Sequence, residues 1–506
     1  MANQDKIIQI IDFTGGLNTY SPEFTVPLNQ AVDLQNINLF DQGWEKRRGD
    51  TAFNSSAMVS SSTAISGMGY MKFNSGTEFL NAVAGTKFFT SSGLTGTMTD
   101  KTGALTITSG QDNIWIPVSF NDLQIWFGGA PDVPFTHDGT ASNAAALAGS
   151  PPSAATVFSA NNRIFALSTV ANPSRIFWPI LGSPSDWTGT GSGNADVSKN
   201  DGENLLFGVP IGNNYAVLFK NTSTHRMLLD SSPFPIVQIQ KGTGAAGRYA
   251  WAVVDGEIFF ITPTRRMRST RDGATFTDYP VDIDNFWDTV VASRIPFIQG
   301  IYYDILKQIH WYVTTTGTTN NRCIIWDIKR KCWLRHTSGF KVNVACLMQN
   351  RRLFCGHYDG KIYEKNVASI YTDASETSPG AIDAYWQTGW LTDKGLSDIV
   401  HPRWIESVIQ GQTAGTFDTS YGFDFSSNQQ TESQNMVAPG DKWDAVLWGV
   451  GIWAGQTSLF RRTFVNGRGN NFQMKWRNAN ANEIFLFQGA SIPMRPETTR
   501  KLITVP

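Results

Sequence analysis

Histidines, cysteines and closely spaced charges are where chemistry in this chain would have to reside. The six histidines are His137, His225, His310, His336, His357 and His401. No two are spaced as metal ligands are, so metal catalysis has no support in the sequence. Cys323, Cys332, Cys346 and Cys355 include no C-x-x-C pair and read as buried free thiols of a chain made in a reducing cytosol. Asp282 and Asp284 place two carboxylates on one face of an extended segment, a start for a Ca²⁺ site. No Gly and bidentate Glu follow at EF-hand spacing, and surface charge is the better reading. Arg265, Arg266, Arg268 and Arg271 fall within seven residues. Their side chains divide between two faces of one hairpin, which suits a solvated or subunit-facing edge better than a clamp on an acidic sugar. Gly242–Gly247 fits G-x-G-x-x-G but precedes a strand-like segment and no βαβ unit, so it reads as a connecting loop. Neither G-x-S-x-G nor a P-loop occurs. The expectation is a protein that is not an enzyme, with no catalytic residue, cofactor or bound metal.

The elements that must position these residues are short strands. Tyr249–Pro280 reads as four antiparallel strands separated by turns at Asp255-Gly256, at Pro263 and at Asp272-Gly273. Asp-Gly favours the type I′ hairpin because both central residues take positive φ. A sheet this small cannot bury both faces alone and needs neighbours of its kind. Similar apolar-turn-apolar units occur at Gly69–Phe89, Val118–Phe127, Val157–Leu167, Val209–Phe219, Ile301–Trp333 and Ala345–Cys355. The spacing predicts an irregular β-propeller of six or seven blades over residues 65–366. Stacked β-sandwiches without ring closure are the alternative.

Composition agrees with an all-β chain. Gly 46, Phe 32 and Trp 17 accompany only 16% charged residues in 506, a turn-rich and aromatic-rich pattern. One short helix is expected around Leu28–Gln35, after Pro27. A net charge of −1 argues against a dedicated polyanion binder. No signal peptide is expected from the first residues, and no apolar run is long enough to span a membrane. Residues 1–64 form an extended N-terminal arm with a small hairpin around Gly43, too poor in apolar residues to fold alone. Residues 367–506 predict an appended C-terminal β-sandwich, with strands from Trp386–Leu391 to Ile484–Phe487 and an extended tail.

Several motifs resemble known families. Ser269-Thr270-Arg271-Asp272-Gly273-Ala274-Thr275-Phe276 resembles the Asp-box hairpin of sialidase-like propellers, with the Asp shifted by one and Phe in place of Trp. That box is itself a structural element. A glycosidase would also need two carboxylates across a pocket or a tyrosine nucleophile. The order Gly15-Gly16-Leu17-Asn18, Leu28-Asn29-Gln30, Asn36, Gly43 and Arg48-Gly49 resembles the opening of nozzle and hub proteins in the tails of short-tailed bacteriophages. Pro173–Trp178 with Ser185-Asp186-Trp187, and Val217–Ser223, resemble blade segments of related phage propellers. The resemblance covers the first fifty residues and parts of the propeller. It implies a structural virion protein, made in the host cytoplasm, that forms a six-fold ring (a hexamer) below the portal and adaptor proteins. DNA leaves the head through that ring with transient, non-specific contact, and tail fibres or receptor-binding proteins are further partners. Near-neutral walls suit such a tube, since a basic one would hold the genome. The N-terminal arm and C-terminal tail are suited to reach across joints between subunits. Gly15, Gly16, Leu17, Asn18, Trp44, Arg47, Arg48, Arg495 and Arg500 are therefore the candidate contacts. A tail-surface propeller that binds or cleaves glycans is the alternative function.

Overall fold

The computed structural model describes residues 6–140, 142–376, 380–392, 399–412, 414–437 and 458–495. The chain divides into two compact units. One holds Asp50–Ile325 and Gly339–Lys365; the other holds Met1–Gly49, Trp326–Ser338 and Asn366–Pro506.

The first unit is a β-propeller of seven small antiparallel sheets. The innermost strands of the first five are Ile65–Lys72, Ile116–Phe120, Thr156–Ala160, Phe207–Ile211 and Trp251–Val254, and each begins a four-stranded meander. The sixth sheet runs through Gln299–Tyr303, Gln308–Val313 and Arg322–Asp327. The seventh starts with Val342–Leu347, Leu353–His357 and Ile362–Lys365, and takes a strand from the other end of the unit, Asp50–Ala52. Lys365 pairs with Asp50 in register, and its Nζ lies 2.6 Å from Asp50 Oδ2, both side chains buried. The propeller is thus closed by strands far apart in sequence. The innermost strand of the seventh sheet lies beside that of the first, completing the circle.

The hydrophobic clusters confirm why the sheets need one another. Phe158, Phe165, Leu218 and Met227 form one core shared by the third and fourth blades. Phe207, Phe219, Ile258 and Phe260 join the fourth and fifth, and Ile65, Leu80, Phe354 and Ile362 join the first and seventh. Each blade buries its faces against its neighbours. The turns follow the predicted chemistry: Asp255 and Gly256 have φ of 48° and 76°, and Asn161 and Asn162 have 46° and 55°. Positive φ at both central positions matches the right-handed twist of the flanking strands.

The second unit is a β-sandwich. One sheet has the order Ile37–Phe40, Gly43–Lys46, Leu486–Met494, Trp404–Gln410, Ser458–Phe464, with Lys6–Ile10 also paired to Leu486–Met494. The other runs Gly16–Leu17, Gln30–Gln35, Ala384–Thr388, Phe472–Asn478, Thr416–Phe423, Gln430–Asn435. Aromatic rings fill the space between them. Trp476 of the second sheet meets Phe487 of the first at 4.6 Å, and its Nε1 donates to Ser407 Oγ at 2.9 Å. Phe13 stands edge-on to Trp386 at 5.1 Å and to Phe487 at 5.8 Å.

The N-terminal segment therefore supplies strands to both sheets. The helix expected around Leu28–Gln35 is instead the strand Gln30–Gln35, held between Gly16–Leu17 and Ala384–Thr388. Burial of Ala31, Val32 and Leu34 outweighs a helix-start signal only eight residues long. The division of the chain also differs from the one read from composition. Asp50–Ala52, inside the stretch assigned to the arm, is a propeller strand. Trp326–Ser338, assigned to the last blades, belongs with the sandwich, where Arg335 O accepts from Asn36 N at 2.9 Å and Asn36 Oδ1 accepts from Thr337 N at 3.0 Å. The strand expected at Trp443–Val450 lies outside the described residues.

Candidate interaction site

Most of the residues singled out at the start of the chain are buried in the sandwich unit, some of them around one joint. Gly16 has φ of 64°, and a Cβ there would stand 2.5 Å from Trp333 O. Gly43 has φ of 134° and approaches Phe487 O so closely that a Cβ would lie 2.0 Å away. At Gly49 the same atom would be 1.9 Å from Thr372 O. Only glycine fits these close approaches. Asn36 takes φ of 55°, a left-handed conformation Asn tolerates, and its side chain bonds Thr337 and the Asp383 carbonyl. Asn18 bonds Ser21 and Gln30 through its Nδ2 and accepts from Ser21 N.

Arg47 is the centre of this joint. Its Nε donates to Asn36 Oδ1 at 3.1 Å, its Nη1 to Asp373 Oδ1 at 2.9 Å and to Arg48 O at 3.1 Å. Its Nη2 reaches Asp373 Oδ2 at 2.5 Å, Ser338 O at 3.0 Å and Ser338 Oγ at 2.8 Å. The side chains of Arg47 and Asp373 are 4% and 1% exposed. Beside it Lys46, fully buried, donates to Asn478 Oδ1 and Asn480 O at 2.7 and 2.6 Å. Burial holds this ammonium down to a pKa of about 8, against the opposing charge of Glu483.

Gly16, Leu17, Asn18, Trp44 and Arg47 are thus buried within their own chain, and Gly15 is half-buried. As contacts they join strands of one subunit, since their surfaces are spent internally. Arg48 and Arg495 are exposed, and Arg500 lies outside the described residues.

Sequence reading missed the outward face of the first sandwich sheet. Along Ser458–Phe464, Leu459 and Thr463 point inward while Phe460 and Phe464 are 63% and 69% exposed. Phe460 sits opposite Val408 and Phe464 opposite Trp404. Between them the Arg462 guanidinium lies 4.6 Å over the Trp404 ring and pairs with Glu406 at 2.7 Å. Ile7, on the strand at the far side of Leu486–Met494, is 58% exposed. The clue was in the sequence: Leu459, Phe460 and Phe464 place apolar residues on both faces of a single strand.

The four arginines of the propeller hairpin each have a carboxylate of their own: Asp288 for Arg265, Asp284 for Arg266, Asp278 for Arg268 and Glu257 for Arg271. They form no common clamp. In the Asp-box-like turn, Asp272 Oδ1 accepts from the backbone of Ala274 and Thr275 at 2.8 Å, and Thr270 Oγ1 accepts from Gly273 N at 2.8 Å. These bonds shape the turn and depress the Asp272 pKa against its burial. Asp284 is committed to Arg266, and among the described residues no group of His, Cys, Asp and Glu is arranged to hold a metal ion. Gly242–Gly247 joins the fourth blade to the fifth, with Ala245 N donating to Lys220 O and Ala246 N to Ile261 O. Cys323, Cys332 and Cys355 are buried free thiols, as expected, whereas Cys346 is a half-buried one, and burial pushes the Cys355 pKa up to about 11.

No protein-family model matches the chain, and no curated protein matches it. Solved structures that resemble it include β-propellers. BamB from Moraxella catarrhalis aligns at 10% identity over 66% of this chain and 94% of that one, with a TM-score of 0.39. YCF48 from Cyanidioschyzon merolae aligns at 9% over 63% and 98%, with a TM-score of 0.43. An exo-β-1,3-galactanase from Phanerochaete chrysosporium aligns at 8% over 76% and 96%, with a TM-score of 0.28. The assignment of this chain as a seven-bladed β-propeller with a β-sandwich rests on its own strand pairing.

Proposed function

We propose that this chain is a structural protein of a short phage tail, a subunit of the nozzle or hub ring below the portal and adaptor through which DNA leaves the head. The observation that carries the reading is where the motif residues fall. Gly16, Asn36, Gly43 and Gly49 occupy places where the backbone admits few or no other residue types. The similarity at the start of the chain therefore follows the architecture of the sandwich, beyond mere composition. A ring of identical subunits needs heterologous interfaces, one surface meeting a different one on the next copy. The outward face carrying Trp404, Phe460 and Phe464 is the surface we assign to that joint, with Arg48 and Arg495 as exposed charges of the same unit.

The reading is tested by assembly. Purified protein, alone and mixed with its adaptor ring, is examined by light scattering and negative-stain imaging. Closed rings are expected, and Phe460→Ser with Phe464→Ser shifts the sample to monomer without changing its circular dichroism. A wild-type protein that stays monomeric with the adaptor present defeats the proposal. Rings that survive the double substitution defeat the assignment of the face.

A further inference from the structure

The propeller has a polar cavity at the end where its innermost strands begin. Those beginnings bring Asp112, Ser153, Asn204 and Arg248 together, just ahead of the inner strands of blades two, three, four and five. In an antiparallel meander the second strand ends where the first starts, so the turns at Gly128 and Ser168 reach the same place. The cavity is about 350 Å³, within the size range of small-ligand sites.

Its lining has unspent hydrogen-bonding capacity. The side chains of Ser153, Ser168 and Asn204 make no hydrogen bond with any described residue, although Ser168 is only 3% exposed. Ser168 also holds φ of 61°, a left-handed conformation that strains a non-glycine residue. Asn113 uses its Nδ2 on Ser109 O at 3.1 Å, leaving its carbonyl oxygen for the cavity. The charges are asymmetric. Both oxygens of Asp112 accept from Arg294 at 2.8 Å, and Arg294 is stacked on Phe297. Arg248 has no carboxylate partner among the described residues. Its side chain is hydrogen-bonded to the neighbouring Tyr249 hydroxyl, which burial keeps neutral with its pKa pushed up to about 12.

We infer that this cavity binds an acidic sugar unit, such as the uronic-acid end of a surface polysaccharide, with Arg248 on its carboxylate and Ser153, Ser168, Asn113 and Asn204 on its ring hydroxyls. One cation matches one carboxylate; a phosphate group or nucleic-acid backbone would call for several. Hydroxyls and amides that both donate and accept match sugar hydroxyls, which do the same. The site is independent of the arginine hairpin, whose charges are already paired. It implies binding alone, since the Asp112 carboxylate is taken by Arg294. The inference does not depend on ring formation, so sugar binding and assembly are tested separately.

Full-length protein is titrated with sodium glucuronate, glucose, sodium acetate and N-acetylglutamate amide, read by saturation-transfer NMR and calorimetry. Glucuronate is expected to bind, with each of the others at least about ten-fold weaker. Arg248→Gln should weaken glucuronate by about ten- to a hundred-fold, and Asn204→Ala, at an exposed position, by about three- to ten-fold. Absence of glucuronate binding at about 10 mM overturns the inference. So does acetate or glucose binding equal to glucuronate, or an Arg248→Gln variant that binds as wild type. Equal binding of N-acetylglutamate amide replaces the sugar with an acidic peptide partner. If Arg248→Gln does not fold, Asn204→Ala and Ser153→Ala decide, and unchanged binding in both refutes the site.

Discussion

Replacing Arg47 with Met should destabilise the sandwich unit far more than loss of one surface charge would. The substitution keeps much of the volume and removes every donor of the guanidinium. Asp373, 1% exposed, loses its two-pronged partner, Ser338 O loses this donor, and Asn36 Oδ1 keeps that of Thr337 N. Breaking a buried pair by removing one partner costs about 3–5 kcal/mol. The unit spans about 200 residues, and for a domain of that size each kcal/mol shifts the midpoint by about 2–4 °C. Differential scanning calorimetry should therefore show the sandwich transition lowered by about 6–20 °C, with the propeller transition unmoved. Arg47→Met with Asp373→Leu removes that carboxylate as well and should recover part of the loss. About 1–3 kcal/mol should remain for the bonds lost by Asn36 and Ser338. A single substitution costing less than about 1 kcal/mol, or a pair no better than Arg47→Met alone, refutes the reasoning. The first result would mean the ion pair contributes nothing net. The second would mean that shape, and not the buried charge, is what the site requires.

Other perturbations test other parts of the structure. Lys46 has a pKa near 8 in the fold against 10.5 when unperturbed, because burial penalises its charge. The unfolded chain thus holds the proton more tightly, the penalty is fully present below pH 8, and it is relieved as pH rises from 8 to 10.5. Relative to Lys46→Met, wild-type protein should gain about 3 kcal/mol over that window, measured by urea unfolding of the sandwich at several pH values. His225, buried with Nε2 2.9 Å from Ser198 Oγ, is lowered by burial and by the Lys220 charge to about 4. Its contribution to propeller stability is present above pH 6.5 and is lost as pH falls toward 4. His225→Gln should flatten the acid limb of propeller stability across that range, seen in its calorimetric midpoint. Gly49→Ala drives a Cβ to within 1.9 Å of the Thr372 carbonyl. It should cost about 3 kcal/mol or more and sharply reduce soluble yield, whereas Gly256→Ala, with open space around it, should cost only the strain of its positive φ.

The blades were legible because their signals are local. Asp255-Gly256, Asn161-Asn162 and Asn121-Asp122 state their turn types in two residues each, and alternation states which face is buried. The cysteines, the arginine hairpin and the loop Gly242–Gly247 also took the roles their spacing implied. The start of the chain was harder. Leu28–Gln35 carries a helix-start signal, and only the strands Gly16–Leu17 and Ala384–Thr388 on either side make it a strand. Trp44 and Arg47 looked like contacts for another subunit because their partners lie hundreds of positions away. Asp373 is 326 positions from Arg47, and no local pattern joins them.

By itself, then, the sequence determined an all-β chain of small hairpin sheets, their turn chemistry and the absence of recognisable catalytic motifs. Each of these depends on neighbours a few residues apart. Tertiary structure decided the seventh sheet, closed by Asp50–Ala52 against Ile362–Lys365, and the sandwich built from both ends of the chain. It also decided which charges are matched and which, like that of Arg248, are left over. Those outcomes depend on which distant faces must leave water together and which polar groups must find partners when they do, and that is fixed only when the whole chain has closed.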